Sequence, residues 1–131
     1  MDWITDQVAI GNFRDAASVS SAEVSAIVCV AGCCDPDRVE PDVYVFELID
    51  GPGNPPATFD GAVETVVDLL TSGERVLVHC HAGRSRSVCV VAAALMKTQG
   101  LSRSAAIATV AAKREISPTE AVLAHLVRYE R

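Results

Sequence analysis

The stretch of sequence that decides the fold is RVLVHCHAGRSRSVCVVAAALM, residues 75–96. Its first part, residues 75–79, is centred on Val-Leu-Val and predicts a short buried β-strand. Residues 87–96 are almost entirely apolar and are long enough for a buried helix. A strand that passes through a short polar loop into a helix is typical of the parallel crossovers in α/β proteins.

Short apolar runs alternate with helical periods along the rest of the chain, with no internal repeat and no linker. We predict further strands at residues 7–10, 26–31 and 43–49. The run 26–31 is apolar on both faces, as a buried parallel strand would be. The chain is therefore predicted to be a single α/β domain over residues 1–131, with a mostly parallel sheet of about four to five strands.

The predicted helices lie between and after these strands, so they are expected to cover both faces of the sheet. A short helix is capped by Ser18 or Ser20 and ends at residue 25. The loop 50–56 is dense in Gly and Pro, and the helix after it carries an apolar stripe that begins at Phe59. The remaining helices are predicted at residues 87–96, 102–114 and 119–128.

Composition limits the classes of partner. The chain has 131 residues and is 50% hydrophobic, which suits one folded domain and excludes a disordered chain. Lys and Arg number 11 against 17 Asp and Glu, which leaves a net charge of −6. We therefore expect neither nucleic acid nor a membrane surface as a partner.

The cysteines and the apolar pattern bear on the cellular compartment of the protein. Five cysteines without a Cys-x-x-Cys pair predict reduced thiols rather than a disulfide scaffold. No apolar stretch reaches the roughly 18 residues that cross a bilayer. Residues 1–7 lack the charged and apolar parts of a signal peptide. The expected localisation is cytoplasmic.

The loop after residue 78 is where we expect a ligand, because ligands of open parallel sheets bind beyond the carboxyl ends of strands. Backbone N–H groups wrapped at a helix N-terminus, together with the helix dipole, attract a tetrahedral oxyanion. Gly83 lets the backbone turn closely against the anion, and Arg86 offers a planar fork of donors. The predicted phosphate-binding loop comprises His81, Ala82, Gly83, Arg84, Ser85 and Arg86.

Cys80 lies at the mouth of this loop, where the N–H groups and the dipole are expected to lower the pKa of its thiol. A thiolate beneath a bound phosphoryl group is an in-line nucleophile. The hydroxyl of Ser87 is placed to hydrogen-bond the sulfur and to make it a better leaving group. His79 is expected to orient the loop by hydrogen bonding rather than to act as a base.

The pattern His-Cys-x-x-Gly-x-x-Arg-Ser, residues 79–87, resembles the signature of the cysteine-dependent protein tyrosine phosphatases. Residues 10–16, residues 76–88 and the late helices are similar to the compact dual-specificity branch. The resemblance implies hydrolysis of phosphotyrosine, and of phosphoserine and phosphothreonine, through a cysteinyl-phosphate. Thr119 departs from the pattern, since many relatives carry Asn there, and this puts a supporting hydrogen bond to the loop in question.

Phosphoryl transfer to Cys80 needs a proton donor for the leaving oxygen. Asp50 follows the predicted strand 43–49, and parallel strands end at one edge of a sheet, so its carboxyl group is expected to converge on Cys80. By resemblance, this loop supplies the general acid of dual-specificity phosphatases. One alternative is that Asp50 only forms the turn before Gly51-Pro52. Another is that Asp60 is the acid.

No metal ion or cofactor is expected, because the loop amides and Arg86 supply the positive field and no His, Cys and carboxylate cluster has ligand spacing. The expected partner is a phosphorylated protein or a small phosphomonoester. A phospholipid phosphatase of the same superfamily is an alternative that the net charge of −6 makes less favourable. A rhodanese-like sulfurtransferase and a non-catalytic phosphate-binding module are less favoured still.

Cys33 and Cys34 are candidate redox partners of Cys80. They follow the predicted strand 26–31, at the sheet edge where Cys80 is also expected. A thiolate of low pKa is readily oxidised, and a neighbouring thiol protects it by forming a disulfide. The alternative is that they are two thiols in an ordinary loop.

Overall fold

The computed structural model describes residues 1–32, 35 and 37–130. Its sheet contains β1 (Asp2–Trp3), β2 (Val8–Gly11), β3 (Ala26–Cys29), β4 (Asp42–Val45) and β5 (Val76–His79). These strands lie side by side in the order β1, β2, β5, β3, β4. β1 pairs with β2 in the antiparallel sense, and the other neighbours are parallel. The predicted mostly parallel sheet is confirmed.

The helices are α1 (Phe13–Ser18), α2 (Pro56–Thr71), α3 (Arg86–Gln99), α4 (Arg103–Ala111) and α5 (Glu120–Leu123), followed by a 3₁₀ helix at Ala124–Tyr129. In the part of the chain that the structure describes, none of the helices is long and apolar enough to cross a bilayer.

Alternate residues of the three central strands face two different cores, as the pleat of a strand requires. Ala9, Ile27 and Leu77 pack in the smaller core with Ala16 of α1 and with Val19 and Val24, which follow that helix. Their chain neighbours, such as Ile10 and Val78, face the larger core that α2 and α3 cover. Helices therefore lie on both faces, as predicted, although one face carries only a short helix.

The register of the parallel strands aligns their carboxyl ends. Gly11 of β2 and Cys29 of β3 both pair with His79, the last residue of β5. Cys80 comes directly after that residue. The loop that follows β5 therefore starts at the edge where the neighbouring strands also end, so segments distant in sequence can reach it.

α3 is the most deeply buried helix of the fold. Its residues from Ser87 to Met96 are all buried, which agrees with the predicted apolar helix. The helix ends at Gly100, which adopts the left-handed conformation that favours glycine after a helix. Burial on all sides fixes the N-terminus of α3 against the sheet, and with it the loop that leads into the helix.

Two elements differ from the prediction. The prediction of a short helix that ends at residue 25 is wrong, because α1 lies earlier in the chain and is capped by Asn12. The Asn12 side chain accepts from the Asp15 N–H, and the Asp15 carboxylate accepts from the Asn12 N–H, which stabilises the helix start. β4 stops at Val45, four residues before the predicted end, and it is an edge strand whose Tyr44 is 38% exposed.

The C-terminal helices are also shorter than predicted. α4 ends at Ala111, and the predicted helix 119–128 divides into α5 and the 3₁₀ helix. This last segment packs on Phe59 of α2, whose ring stacks on His125 with a centroid distance of 4.7 Å. The Tyr129 ring also contacts Phe59 in a T-shaped arrangement, with centroids 6.1 Å apart. These contacts fix α2, which begins just after the loop that carries Asp50.

We predict that Phe59→Ala lowers the free energy of unfolding by about 3–5 kcal/mol, because the ring is fully buried between α2 and the C-terminal segment. Urea unfolding followed by circular dichroism measures the change. Val39→Ala is the control, since Val39 is 85% exposed and its change should stay within about 0.5 kcal/mol. Equal losses in the two variants would contradict this account of the core.

Candidate active site

The loop between β5 and α3 surrounds the sulfur of Cys80, a residue that is only 2% exposed. The Cys80 Sγ lies 3.2 Å from the Ser87 Oγ. Backbone N–H groups of Gly83, Ser85 and Ser87 also hydrogen-bond the sulfur. The loop therefore encloses Cys80 with donors, in the arrangement expected for an oxyanion site at a helix N-terminus.

These donors change the acidity of the thiol. Burial by itself raises the pKa of Cys80, but the Ser87 hydroxyl and the three backbone N–H groups outweigh it, so the pKa lies below its ordinary value. Cys89 on α3 shows the opposite case. Burial, with a smaller effect from Asp50 and Cys80, raises the pKa of Cys89 to about 12. Of these two buried cysteines, only Cys80 is prepared to ionise.

Gly83 occupies a position that no other residue fits. Its φ of +70° lies in the left-handed region, and a Cβ atom there would lie 2.4 Å from the backbone oxygen of Gly11. Both observations require glycine. The close approach holds the loop against the end of β2. The glycine at position 83 is therefore required by packing as well as by the turn.

Neighbouring elements also hold the loop from outside. The Phe13 N–H donates to the His81 oxygen over 3.1 Å, and the Ser117 N–H donates to the Arg84 oxygen over 2.9 Å. The buried His79 places its Nδ1 atom 3.2 Å from the Cys80 oxygen. His79 therefore contacts the loop backbone, as a residue that orients the loop would.

Arg86 is the first residue of α3, and its guanidinium is partly buried. Its Nη1 donates to the Leu48 oxygen over 3.0 Å, which ties the guanidinium to the chain just before Asp50. Its Nε atom is buried and has no hydrogen-bond partner among the residues that the structure describes. A buried donor without a partner is costly, and a bound oxyanion would satisfy it.

The structure brings Asp50 to the loop. The Ser85 hydroxyl donates to the Asp50 Oδ1 over 2.6 Å, and the Thr119 hydroxyl donates to the same oxygen over 2.7 Å. The Thr119 N–H donates to the Ser85 Oγ over 2.9 Å. Thr119 therefore makes the supporting contact that its departure from Asn had put in question.

Asp60 is held elsewhere. Its carboxylate accepts hydrogen bonds from Tyr129 and from Arg128, the latter over 2.6 Å. Burial alone raises the pKa of Asp60, but these hydrogen bonds and the Arg128 charge lower it below its ordinary value. These contacts belong to the packing of α2 on the C-terminal segment, and a carboxylate held in this way is a poor proton donor.

The remaining loop residues face outward. His81 is exposed and stacks on Phe13, with ring centroids 4.7 Å apart. Arg84 is about half exposed and lies 3.9 Å from Glu115. Ala82 is also exposed, so these three residues contribute backbone groups while their side chains line the outside of the site. Cys33 and Cys34 lie outside the described residues.

Sequence reasoning missed Arg114, which follows α4. Its guanidinium donates to the backbone oxygens of Ala82 and Gly83. No local pattern marks this residue, because its partners are more than 30 positions away in the chain. Within the described residues, no three His, Cys, Asp or Glu side chains are grouped so that they could hold a metal ion.

Comparisons with known proteins agree on one family. The family model of the dual specificity phosphatase catalytic domain matches residues 52–131, more than half of the chain. Dual specificity protein phosphatase 1B of Arabidopsis thaliana is 32% identical over 95% of this chain and 75% of its own length. Dual specificity protein phosphatase 1 of the same plant is 34% identical over 79% of this chain, which spans only 53% of that relative.

A solved structure shows the same similarity in three dimensions. The crystal structure of a mouse putative dual specificity phosphatase complexed with zinc tungstate matches with a TM-score of 0.86 and 26% identity. The match covers 98% of this chain and 85% of the mouse chain. Sequence, fold and the loop around Cys80 thus agree, and the chain belongs to the dual specificity phosphatase family.

Proposed function

We propose that this protein is a cysteine-dependent phosphatase that hydrolyses phosphomonoesters of tyrosine, and of serine and threonine, in proteins. The observation that carries the proposal is the environment of Cys80, a buried thiol of lowered pKa that receives hydrogen bonds from three backbone N–H groups and from Ser87. Family membership implies a phosphorylated substrate. A thiolate beneath converging donors is suited to attack a bound phosphoryl group.

We assign the phosphate to the concave face of the loop His81 to Arg86. The amide groups that stabilise the thiolate also suit the equatorial oxygens of a phosphoryl group. The buried Nε of Arg86 offers a further donor to these oxygens. The related mouse structure contains tungstate, a tetrahedral oxyanion, which supports this assignment. The loop and Arg86 thus provide the positive field without any metal step.

In the first step, the Cys80 thiolate attacks phosphorus and forms a sulfur–phosphorus bond as the bond to the leaving oxygen breaks. Asp50 transfers its proton to that oxygen, which departs as a phenol or an alcohol. Both hydroxyl contacts of Asp50 end on Oδ1. They orient the carboxyl group over the loop, and we assign the transferred proton to Oδ2.

In the second step, water attacks the cysteinyl-phosphate. Asp50, now ionised, takes a proton from the water, and the sulfur–phosphorus bond breaks to release phosphate and the thiolate. Ser87 stabilises the departing sulfur by the same 3.2 Å contact that lowers its pKa. The enzyme returns to its starting state with no cofactor consumed.

The alternatives are less favoured by the site. A sulfurtransferase needs neither a carboxylate tied to the loop nor a hydroxyl on the sulfur, and both are present. A module that only binds phosphate has no use for a thiol of lowered pKa. We place the enzyme in the cytoplasm, because Cys80 must stay reduced to act as a nucleophile.

We predict that the protein hydrolyses aryl phosphates in the presence of a metal chelator. Cys80→Ser and Arg86→Ala should both abolish this activity, because one removes the nucleophile and the other removes the planar donor to the phosphate. Release of nitrophenolate from nitrophenyl phosphate measures the rate. Cys89→Ala is the matched control and should stay active. Chelator-sensitive activity that survives Cys80→Ser would refute the assignment.

We predict that Asp50→Asn lowers kcat by ~100-fold or more for substrates with poor leaving groups, and little for very good ones. The reason is that only a poor leaving group needs the proton. Alkyl and activated aryl phosphates should be compared over a range of pH, where the variant is expected to lose the basic limb of the profile. Asp60→Asn is the matched control, and a large loss there with an unchanged Asp50→Asn would move the acid to Asp60.

We predict that Ser87→Ala shifts the acidic limb of kcat/KM to higher pH. Because Ser87 lowers the pKa of Cys80, its removal raises that pKa, and the thiolate then disappears at a higher pH as the solution is acidified. Burst kinetics should also appear, since the cysteinyl-phosphate breaks down more slowly. The exposed Ser104→Ala is the control, and an unchanged limb in Ser87→Ala would contradict this role.

A further inference from the structure

The outer side of the loop is defined by four backbone oxygens, those of residues 81–84, each of which accepts a hydrogen bond from another element. Backbone N–H groups of Phe13 and Ser117 donate to the first and the last oxygen. The two middle oxygens share a single donor residue, Arg114. The centre of the loop thus depends on one side chain.

All three nitrogens of the Arg114 guanidinium donate hydrogen bonds. Its Nε donates to the Gly83 oxygen over 2.6 Å, and its Nη2 donates to the Ala82 oxygen over 3.3 Å. Its Nη1 donates to the Ile10 oxygen over 3.3 Å and to the Asp2 carboxylate over 2.8 Å. The Arg114 side chain is 12% exposed, so its guanidinium is largely buried, whereas the Asp2 side chain is 46% exposed.

The geometry of the peptide bond links these contacts to the Cys80 site. In a planar trans peptide, the C=O and the following N–H point in opposite directions. A donor that holds the Ala82 oxygen therefore sets the direction of the Gly83 N–H, which hydrogen-bonds the Cys80 sulfur. In the same way, a donor that holds the Gly83 oxygen sets the direction of the Arg84 N–H, which belongs to the same peptide group.

We propose that Arg114, anchored by Asp2, is a positioning residue that turns the central N–H groups of the loop toward the phosphate. The proposal rests on the phosphatase function proposed above. Neither side chain touches the substrate in this account. Both act through the loop backbone, so their loss should weaken oxyanion binding and thiolate stabilisation together.

The space around Gly83 supports this role. A Cβ atom at this position would lie 2.6 Å from the Arg114 Nη2 and 2.4 Å from the Gly11 oxygen. The guanidinium is thus packed directly on the loop backbone. A lysine has one compact charge on a flexible stem and cannot reach the same oxygens with a rigid fork.

Asp15 provides a second carboxylate near Arg114. Burial alone raises the pKa of Asp15, but the hydrogen bond from the Asn12 N–H, the nearby terminal amine and the Arg114 charge hold it below its ordinary value. The guanidinium therefore has one direct carboxylate partner, Asp2, and a weaker electrostatic attraction to Asp15. A guanidinium that is paired with Asp2 and donates to three backbone oxygens is suited to a structural position beside the loop.

The test compares Arg114→Met, Arg114→Lys and Asp2→Asn with the wild type. Arg103→Met is the matched control, since Arg103 lies on α4 and pairs with Glu130 over 3.2 Å. Three quantities are measured: the affinity for tungstate by calorimetry, the pKa of Cys80 from the pH dependence of its alkylation by iodoacetate with peptide mapping, and kcat and KM for an aryl phosphate.

Arg114→Met should weaken tungstate binding by about 10-fold or more, a smaller effect than outright removal of an oxyanion donor, and raise the pKa of Cys80. Its KM should rise together with a fall in kcat. Asp2→Asn should shift all three quantities in the same direction by less, and Arg114→Lys should not restore the wild-type values. Arg103→Met should leave them unchanged.

The proposal would be overturned by Arg114 variants that are as stable as the wild type in urea unfolding and also keep the wild-type tungstate affinity and the wild-type pH dependence of Cys80 alkylation. Full rescue by Arg114→Lys would also overturn it, because charge alone would then suffice. If Arg114→Met does not fold, the same three measurements on Asp2→Asn and Arg114→Lys test the proposal. A wild type that binds tungstate without hydrolysing aryl phosphates would refute the phosphatase function, while the binding and alkylation data would still test Arg114.

Discussion

A buried thiolate is stable only where hydrogen-bond donors replace the water it has lost, and this constraint at Cys80 organises the rest of the site. The donors are the N–H groups of the loop and the hydroxyl of Ser87. They need a helix N-terminus that does not move, which the burial of α3 from Ser87 to Met96 provides. The same donors suit an oxyanion, so in the proposed mechanism one arrangement both activates the nucleophile and binds the phosphate.

Holding the N–H groups inward requires that the carbonyl groups be held outward. Phe13, Arg114 and Ser117 do this from three separate segments, at the start of α1, after α4 and before α5. Asp50 is positioned by the same principle, through hydroxyl groups of Ser85 and Thr119. The parallel sheet makes this possible, because the strands that precede Asn12, residue 30 and Cys80 all end at one edge.

Much of this could be predicted from the sequence, since apolar runs of the right length identified β2, β3, β5 and α3. Other elements could not. The predicted position of helix α1 is wrong because the capping box of Asn12 and Asp15 starts the helix before the serines that follow. The predicted β4 is too long because an edge strand is paired on one side only, and its apolar residues do not show where that pairing stops.

The sequence by itself determined the strand, the Cys-x5-Arg loop and the helix, because these depend on neighbours along the chain and on local backbone preference. Only the tertiary structure decided which distant residues complete the site. Asp50 and Thr119 lie 35 and 34 residues from Ser85, and Arg114 lies 31 residues from Gly83. A hydrogen bond between such residues exists only when the packed sheet and helices bring donor and acceptor within about 3 Å of each other.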